Sequence, residues 1–109
     1  MNRITVIGRI VREIELKTLS SGNGVVVNNV IAIPKLKATA SEQEAYFIPF
    51  VAWGKRAELL DTYCKKGDLI GLDGKMTSRS YFDQEDKRQY VVEMNVETLT
   101  FIPNPHTRN

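Results

Sequence analysis

Only one stretch of this chain, residues 55–65, has a helical period; everywhere else the apolar residues alternate. Alternation marks strands with one buried face, so the chain is committed to sheet with a single helical insertion. Within 55–65, Ala57, Leu60 and Cys64 fall on one side, with Leu59 and Tyr63 beside them. Gly67 stands where a helix C-cap belongs, behind a Lys65-Lys66 pair that complements the helix dipole.

In the first strand Ile4, Val6, Gly8 and Ile10 alternate with Arg3, Thr5, Ile7 and Arg9, and residues 13–17 repeat the pattern after a break near Val11-Arg12. Ser20-Ser21-Gly22-Asn23-Gly24 is turn chemistry, because Gly and Asn adopt positive φ cheaply. It leads into a second strand, residues 25–33, with too many β-branched side chains for a helix. Pro34 ends it, and residues 35–44 form a loop long enough to imply function or mobility. The third strand, residues 46–53, is apolar on both faces: Ile48, Phe50 and Ala52 on one, Phe47, Pro49, Val51 and Trp53 on the other. One of those faces must look away from the core.

The fourth strand, residues 69–79, points Ile70, Leu72, Gly74 and Met76 inward and Asp73, Lys75, Thr77 and Arg79 outward. Asp83-Gln84-Glu85-Asp86 makes a polar hairpin tip, and residues 90–101 return as the fifth strand. There Tyr90, Val92, Met94 and Val96 share one face while Leu99 and Phe101 have the opposite parity, which predicts a β-bulge near Glu97-Thr98. Three strands, a helix and two more strands is the order of an all-β, five-stranded Greek-key OB-fold barrel with its helix between strands 3 and 4. The expected organisation is one domain over residues 1–102 and a short C-terminal tail over 103–109.

Composition removes several classes. Hydrophobic residues at 42% and charged residues at 26% are ordinary for a globular chain and exclude disorder, collagen and coiled coil. No apolar run reaches the roughly 20 residues of a membrane span. The strand pattern starts at the amino terminus, so no signal peptide is expected. Cys64 is the only cysteine, so no internal disulfide forms and a cytoplasmic setting is expected. The net charge is only +2, but residues 1–37 carry six Lys/Arg against two Glu. That bias favours a polyanionic partner; a solvated basic edge that discourages aggregation is the other reading.

No catalytic constellation can be assembled. His106, the only histidine, lies in the proline-containing tail, and Cys64 belongs to the apolar side of the helix. One Cys and one His do not make a zinc site of N and S ligands. Gly54-Lys55 lacks the preceding glycine of a phosphate loop. Asp83, Glu85 and Asp86 lack the glycine and distal glutamate of a calcium loop. No enzymatic activity, metal or cofactor is expected.

Phe47 and Trp53 share the outward side of the third strand, and Tyr81 has the parity of Arg79, Thr77 and Lys75. Arg3, Lys35, Lys37, Lys55, Lys75 and Arg79 supply cations along the same strands and loops. Aromatic plates among cations suit a single-stranded polynucleotide, whose bases stack for about 1–3 kcal/mol each while the cations neutralise phosphates. A second small core or an oligomer contact would also account for Phe47 and Trp53, and the residues alone leave both readings open.

The order of these segments resembles the bacterial and phage single-stranded DNA-binding proteins, the SSB family, over roughly residues 2–102. Asn2-Arg3-Ile4-Thr5-Val6-Ile7-Gly8-Arg9-Ile10 is similar to the family's opening strand, and residues 24–32 to its second. Trp53-Gly54-Lys55 followed by Ala57-Glu58 is the most specific match. Tyr63-Cys64-Lys65-Lys66-Gly67-Asp68, Asp73-Gly74-Lys75 and Arg79-Ser80-Tyr81-Phe82-Asp83 complete it. The resemblance implies an OB fold and non-catalytic, largely sequence-independent binding and protection of single-stranded DNA in replication, recombination or repair, with RNA as a further possible ligand class. It also implies self-association as a dimer or tetramer in the cytoplasm of a bacterial or phage-infected cell, and it places Phe47, Trp53 and Tyr81 as stacking residues. A further family aromatic would fall near Ala38, in a loop that has none. The family usually ends in an acidic tip that recruits replication and recombination proteins; Pro105-His106-Thr107-Arg108-Asn109 is neutral to basic, so a chain complete at Asn109 would be expected to lack that recruitment and to be a phage or specialised member. The alternatives are an SSB-like, primosome-type accessory acting through protein partners, and an OB module with a structural or oligosaccharide-binding role.

Overall fold

The computed structural model describes residues 1–35 and 45–103. In chain order the elements are β1 (Ile4–Ile10), β2 (Lys17–Thr18), β3 (Val25–Pro34), β4 (Ala45–Trp53), α1 (Lys55–Tyr63), β5 (Leu69–Phe82) and β6 (Arg88–Phe101). β2 is a two-residue pairing on the edge of β3. The other five strands close into a barrel in the order β1-β5-β6-β4-β3, with β1 returning to β3 at Arg9↔Ala32 and Ile10↔Ile31. The pairings are antiparallel except β4–β6, which is parallel. This is the expected OB-type barrel, its helix between the third and fourth barrel strands.

The inward parity of each strand supplies the core, whose largest buried side chains include Phe50, Ile31, Leu60, Ile70, Leu72 and Met94. Full burial of side chains this size contributes about 1.5–3 kcal/mol each. α1 closes one end of the barrel with Ala57 and Leu60, both fully buried. Two glycines let backbones meet: a Cβ on Gly8 would run into the Ala32 carbonyl, and one on Gly74 into the Asn95 carbonyl. The bulge forms where the pattern requires it. Asp73 pairs with Thr98 and Gly74 with Val96, so Glu97 is the extra residue. With that one-residue insertion, Met94 and Val96 before it and Leu99 after it all reach the core.

Several local expectations are corrected. Residues 11–16 are not a strand; only Lys17–Thr18 pairs with β3. Buried Asn29 holds that segment through side-chain bonds instead. Its Oδ1 accepts from Arg12 N at 3.1 Å and its Nδ2 donates to Arg12 O at 3.0 Å. The helix stops at Tyr63 because Cys64 is extended, with φ −124° and ψ 158°. Gly67, at φ 93°, therefore sits in the following turn, where Asp68 N donates to Lys65 O at 3.1 Å, and Lys65 and Lys66 lie beyond the last helical residue. Tyr63 is exposed and meets the ring of Phe101 edge-on, with centroids 5.8 Å apart. Tyr90 and Val92 keep the parity of Met94 and Val96 but are exposed, since β5 and β6 run on past the barrel as a two-stranded arm. Among the described residues no helix is long and apolar enough to cross a membrane.

Candidate nucleic-acid interface

Directly opposed residues in neighbouring strands point to the same face, so the register fixes which side chains share a surface. In β4, Phe47 opposes Ala32 and Trp53 opposes Val26 of β3, while Val51 opposes Asn95 of β6. In β5, Lys75, Thr77, Arg79 and Tyr81 oppose Asn95, Glu93, Val91 and Gln89. Asn95 thus joins the two halves, and Phe47, Trp53, Lys75, Arg79 and Tyr81 lie on one outer face running over β3, β4, β6 and β5. The three aromatics are 62%, 44% and 46% exposed for Phe47, Trp53 and Tyr81. Phe50, of opposite parity in the same strand, is buried. Val51 shares the outer face but is buried between its strand neighbours Asn28 and Asn95.

Backbone geometry positions these rings. Gly54, at φ 59°, turns the chain from β4 into α1, and its carbonyl accepts from Glu58 N at 3.0 Å. Its own N–H donates to Val25 O at 2.9 Å, which ties the turn beside Trp53 to β3. At the far end of the arm, Asp83 organises the tip. Its carboxylate accepts from Glu85 N, Lys87 N and Gln89 Nε2, each at 2.9 Å. These donors, the Lys87 amide foremost, hold the carboxyl below its ordinary value.

The candidate cations divide by what they already hold. Lys75 is exposed on the aromatic face and has no ion pair among the described residues; Lys55 is exposed in the first turn of α1. Arg79 donates Nε to Glu93 Oε2 at 3.0 Å, so it stands on the face already neutralised. Arg3 pairs with Asp73 and lies 3.7 Å from Glu97 Oε1, at the bulge rather than beside the rings. Lys35 is half-buried, with its ammonium 5.0 Å from the Tyr46 ring centroid. Lys37, the Ala38 position, and residues 104–109 of the tail lie outside the described residues.

Besides Tyr63 and Phe101, which meet edge-on, sequence parity missed three exposed aromatics. Tyr46, Phe82 and Tyr90 are 56%, 60% and 71% exposed. Tyr46 and Tyr90 have the parity of core residues, and Phe82 alternates with Tyr81. The signal available was strand length, because strands that outrun a small barrel expose their inward face. Cys64 packs against the core, and burial, then the nearby Asp68 carboxylate, push its thiol up, which suits an inert side chain.

A family model described as the single-strand binding protein family matches residues 1–102. A "Single-stranded DNA-binding protein" of Clostridium tetani is 37% identical over 102 residues, spanning 94% of this chain and 70% of that protein. "Single-stranded DNA-binding protein 1" of Clostridium acetobutylicum is 36% identical over 103 residues and covers 94% of both chains. A "Single-stranded DNA-binding protein" of Halalkalibacterium halodurans is 38% identical over 104 residues, 94% of this chain and 61% of that protein. The match runs from the first strand of the barrel to its last, through every element that carries the aromatic face. With this barrel and this extent of similarity, the chain belongs to the single-strand binding protein family.

Proposed function

We propose that the protein binds single-stranded DNA without catalysis and with little regard to sequence, protecting it during replication, recombination or repair. The observation that carries this reading is the outer face on which Phe47, Trp53 and Tyr81 stand exposed on one side of the sheet beside Lys75. Every base has a π-face, so rings spaced along a sheet hold a strand without reading base edges. Lys75 and Lys55, which hold no ion pair among the described residues, offer charge for phosphates, while Arg3 and Arg79 first hold their own carboxylates. A duplex hides its base faces by stacking, so the face selects single strands.

Trp53, the only tryptophan, supplies the test. Its fluorescence should be quenched by oligo-dT and unaffected by a matched duplex at low micromolar protein; equal response to both would overturn the reading.

Self-association belongs to the same proposal. β1 pairs with β3 only at Arg9 and Ile10, so its second edge is open over residues 4–8, and Ile7 is 57% exposed beside it. An open strand edge pairs readily with a second copy, giving a dimer or, by repetition, a tetramer. Sedimentation as a monomer at tens of micromolar, the scale of a weak interface, would count against this part. We place the activity in the cytoplasm of a bacterial or phage-infected cell.

A further inference from the structure

The β5–β6 arm has two faces, and only the one with Tyr81 belongs to the interface above. The register assigns the opposite face to Ser78, Ser80 and Phe82 of β5 and to Arg88, Tyr90 and Val92 of β6, paired Ser78↔Val92, Ser80↔Tyr90 and Phe82↔Arg88. These positions continue the parity of Met76 and Met94, but past the end of the core they are exposed: Phe82 is 60%, Tyr90 71% and Val92 58% accessible. The Arg88 guanidinium stands 5.1 Å from the centroid of the Phe82 ring.

We infer that this second face of the arm, centred on Phe82, Arg88 and Tyr90, is an additional stacking platform for single-stranded polynucleotide, taking the bases that flank those held on the outer face. The inference rests on the proposed single-strand binding and extends it to a site of its own. Two rings and a cation are set together as a base and its phosphate require. None of the six positions bears a carboxylate, so the only formal charge on the face is positive. Of the three acids at the tip, Asp83 has its carboxylate taken up by the turn amides and by Gln89, which lies on the Tyr81 face, while Glu85 and Asp86 lie in the turn beyond the paired strands. The arm is two strands wide, and strands lie about 4.8 Å apart, so one polymer crosses its edge from Tyr81 to Phe82 without leaving the protein. A cation over a ring recurs just past β3, where the Lys35 ammonium lies 5.0 Å from the centroid of the Tyr46 ring, of core parity in β4. A second copy of the chain is the poorer occupant. A two-fold contact would bring two Arg88-bearing faces together with no carboxylate between them.

The test moves the indole. Tyr90→Trp in a Trp53→Phe background is titrated with oligo-dT from about 4 to about 30 nucleotides, bracketing the roughly 4–16 nucleotides that one OB fold occupies. The native protein is titrated in parallel through Trp53. The expected result is that Trp53 responds to short oligomers, whereas the indole at position 90 is quenched only by longer ones. Phe82→Ser with Tyr90→Ser should leave short-oligomer affinity within about twofold and lower long-oligomer affinity at least fivefold, the equivalent of one weak stack. Arg88→Glu, which removes no ring, should act in the same direction. A responsive Trp53 with a silent indole at position 90 overturns this inference alone; a Trp53 silent to every oligomer overturns the parent reading as well. Unchanged long-oligomer affinity in the double variant also overturns it, and a fall in sedimentation coefficient with that affinity unchanged assigns the face to protein contact instead.

Discussion

Arg79 Nε and Glu93 Oε2 lie 3.0 Å apart on the aromatic face, and the carboxylate is almost wholly buried while the guanidinium is half exposed. The pair is asymmetric. Removing the arginine strands a buried carboxylate, whereas removing the glutamate frees an arginine that water already reaches. Arg79→Ala should therefore destabilise the fold by roughly 1–3 kcal/mol, read by urea unfolding. Glu93→Gln should cost less and make single-strand binding more salt-dependent, because it releases a cation beside the rings.

Lys75 should behave as a plain phosphate contact. Replacing it with Ala should leave stability within about 0.5 kcal/mol, as usual for an exposed site. The slope of log affinity against log salt should shrink by about 0.7, the value for one phosphate on a single strand. Titrations between low and moderate salt measure this directly, and an unchanged slope would remove Lys75 from the site.

The two parities of β4 should separate by phenotype. Phe47→Ala and Trp53→Ala should each weaken binding by about 1–3 kcal/mol and hardly move the unfolding midpoint. Phe50→Ala should cost roughly 3–5 kcal/mol of stability and affect binding only through unfolding. A Trp53→Ala protein that unfolds but binds normally per folded molecule would invert the assignment of faces.

Gly8 marks the crossing of β1 over β3. Gly8→Ala forces a methyl group into the Ala32 carbonyl and should destabilise by about 1–3 kcal/mol, the usual range for overpacking. Gly22→Ala, with open space around it but φ 80°, separates backbone strain from collision when measured alongside.

The tip of the arm should loosen in acid. Its folded carboxyl at Asp83 titrates below the ordinary 3.8, so its contribution is complete above that value and is lost as pH falls through the lower folded one. Amide signals of Glu85 and Lys87 should move together in that window, and Asp83→Asn should show the loosened state already at neutral pH.

The barrel was legible because its period is strict: Ile48, Phe50 and Ala52 could only face inward together, and the parity break across Glu97-Thr98 demanded the bulge that is present. The outward set of Phe47, Trp53 and Tyr81 followed from the same parity. What parity does not encode is where the core ends along a strand. Tyr90 and Val92 have the pattern of core residues but lie beyond the barrel's end, which depends on the length of the whole hairpin. Nor does alternation distinguish strand from a segment held otherwise; residues 13–17 alternate, yet Asn29 fixes that stretch through its amide. Charge partners were equally hidden, since Arg3 and Asp73 are far apart in sequence and meet only through the β1–β5 register.

The join between β1 and β3 consists of Arg9↔Ala32 and Ile10↔Ile31, continued by one bond from Val11 N to Val30 O at 2.9 Å. None of the rings on the aromatic face is carried by β1, and the strands that do carry them are bonded to one another without passing through that join. The barrel is in this sense mechanically partitioned: the spacing of the aromatic rings is set by the pairings among β3, β4, β6 and β5, and none of those pairings includes β1.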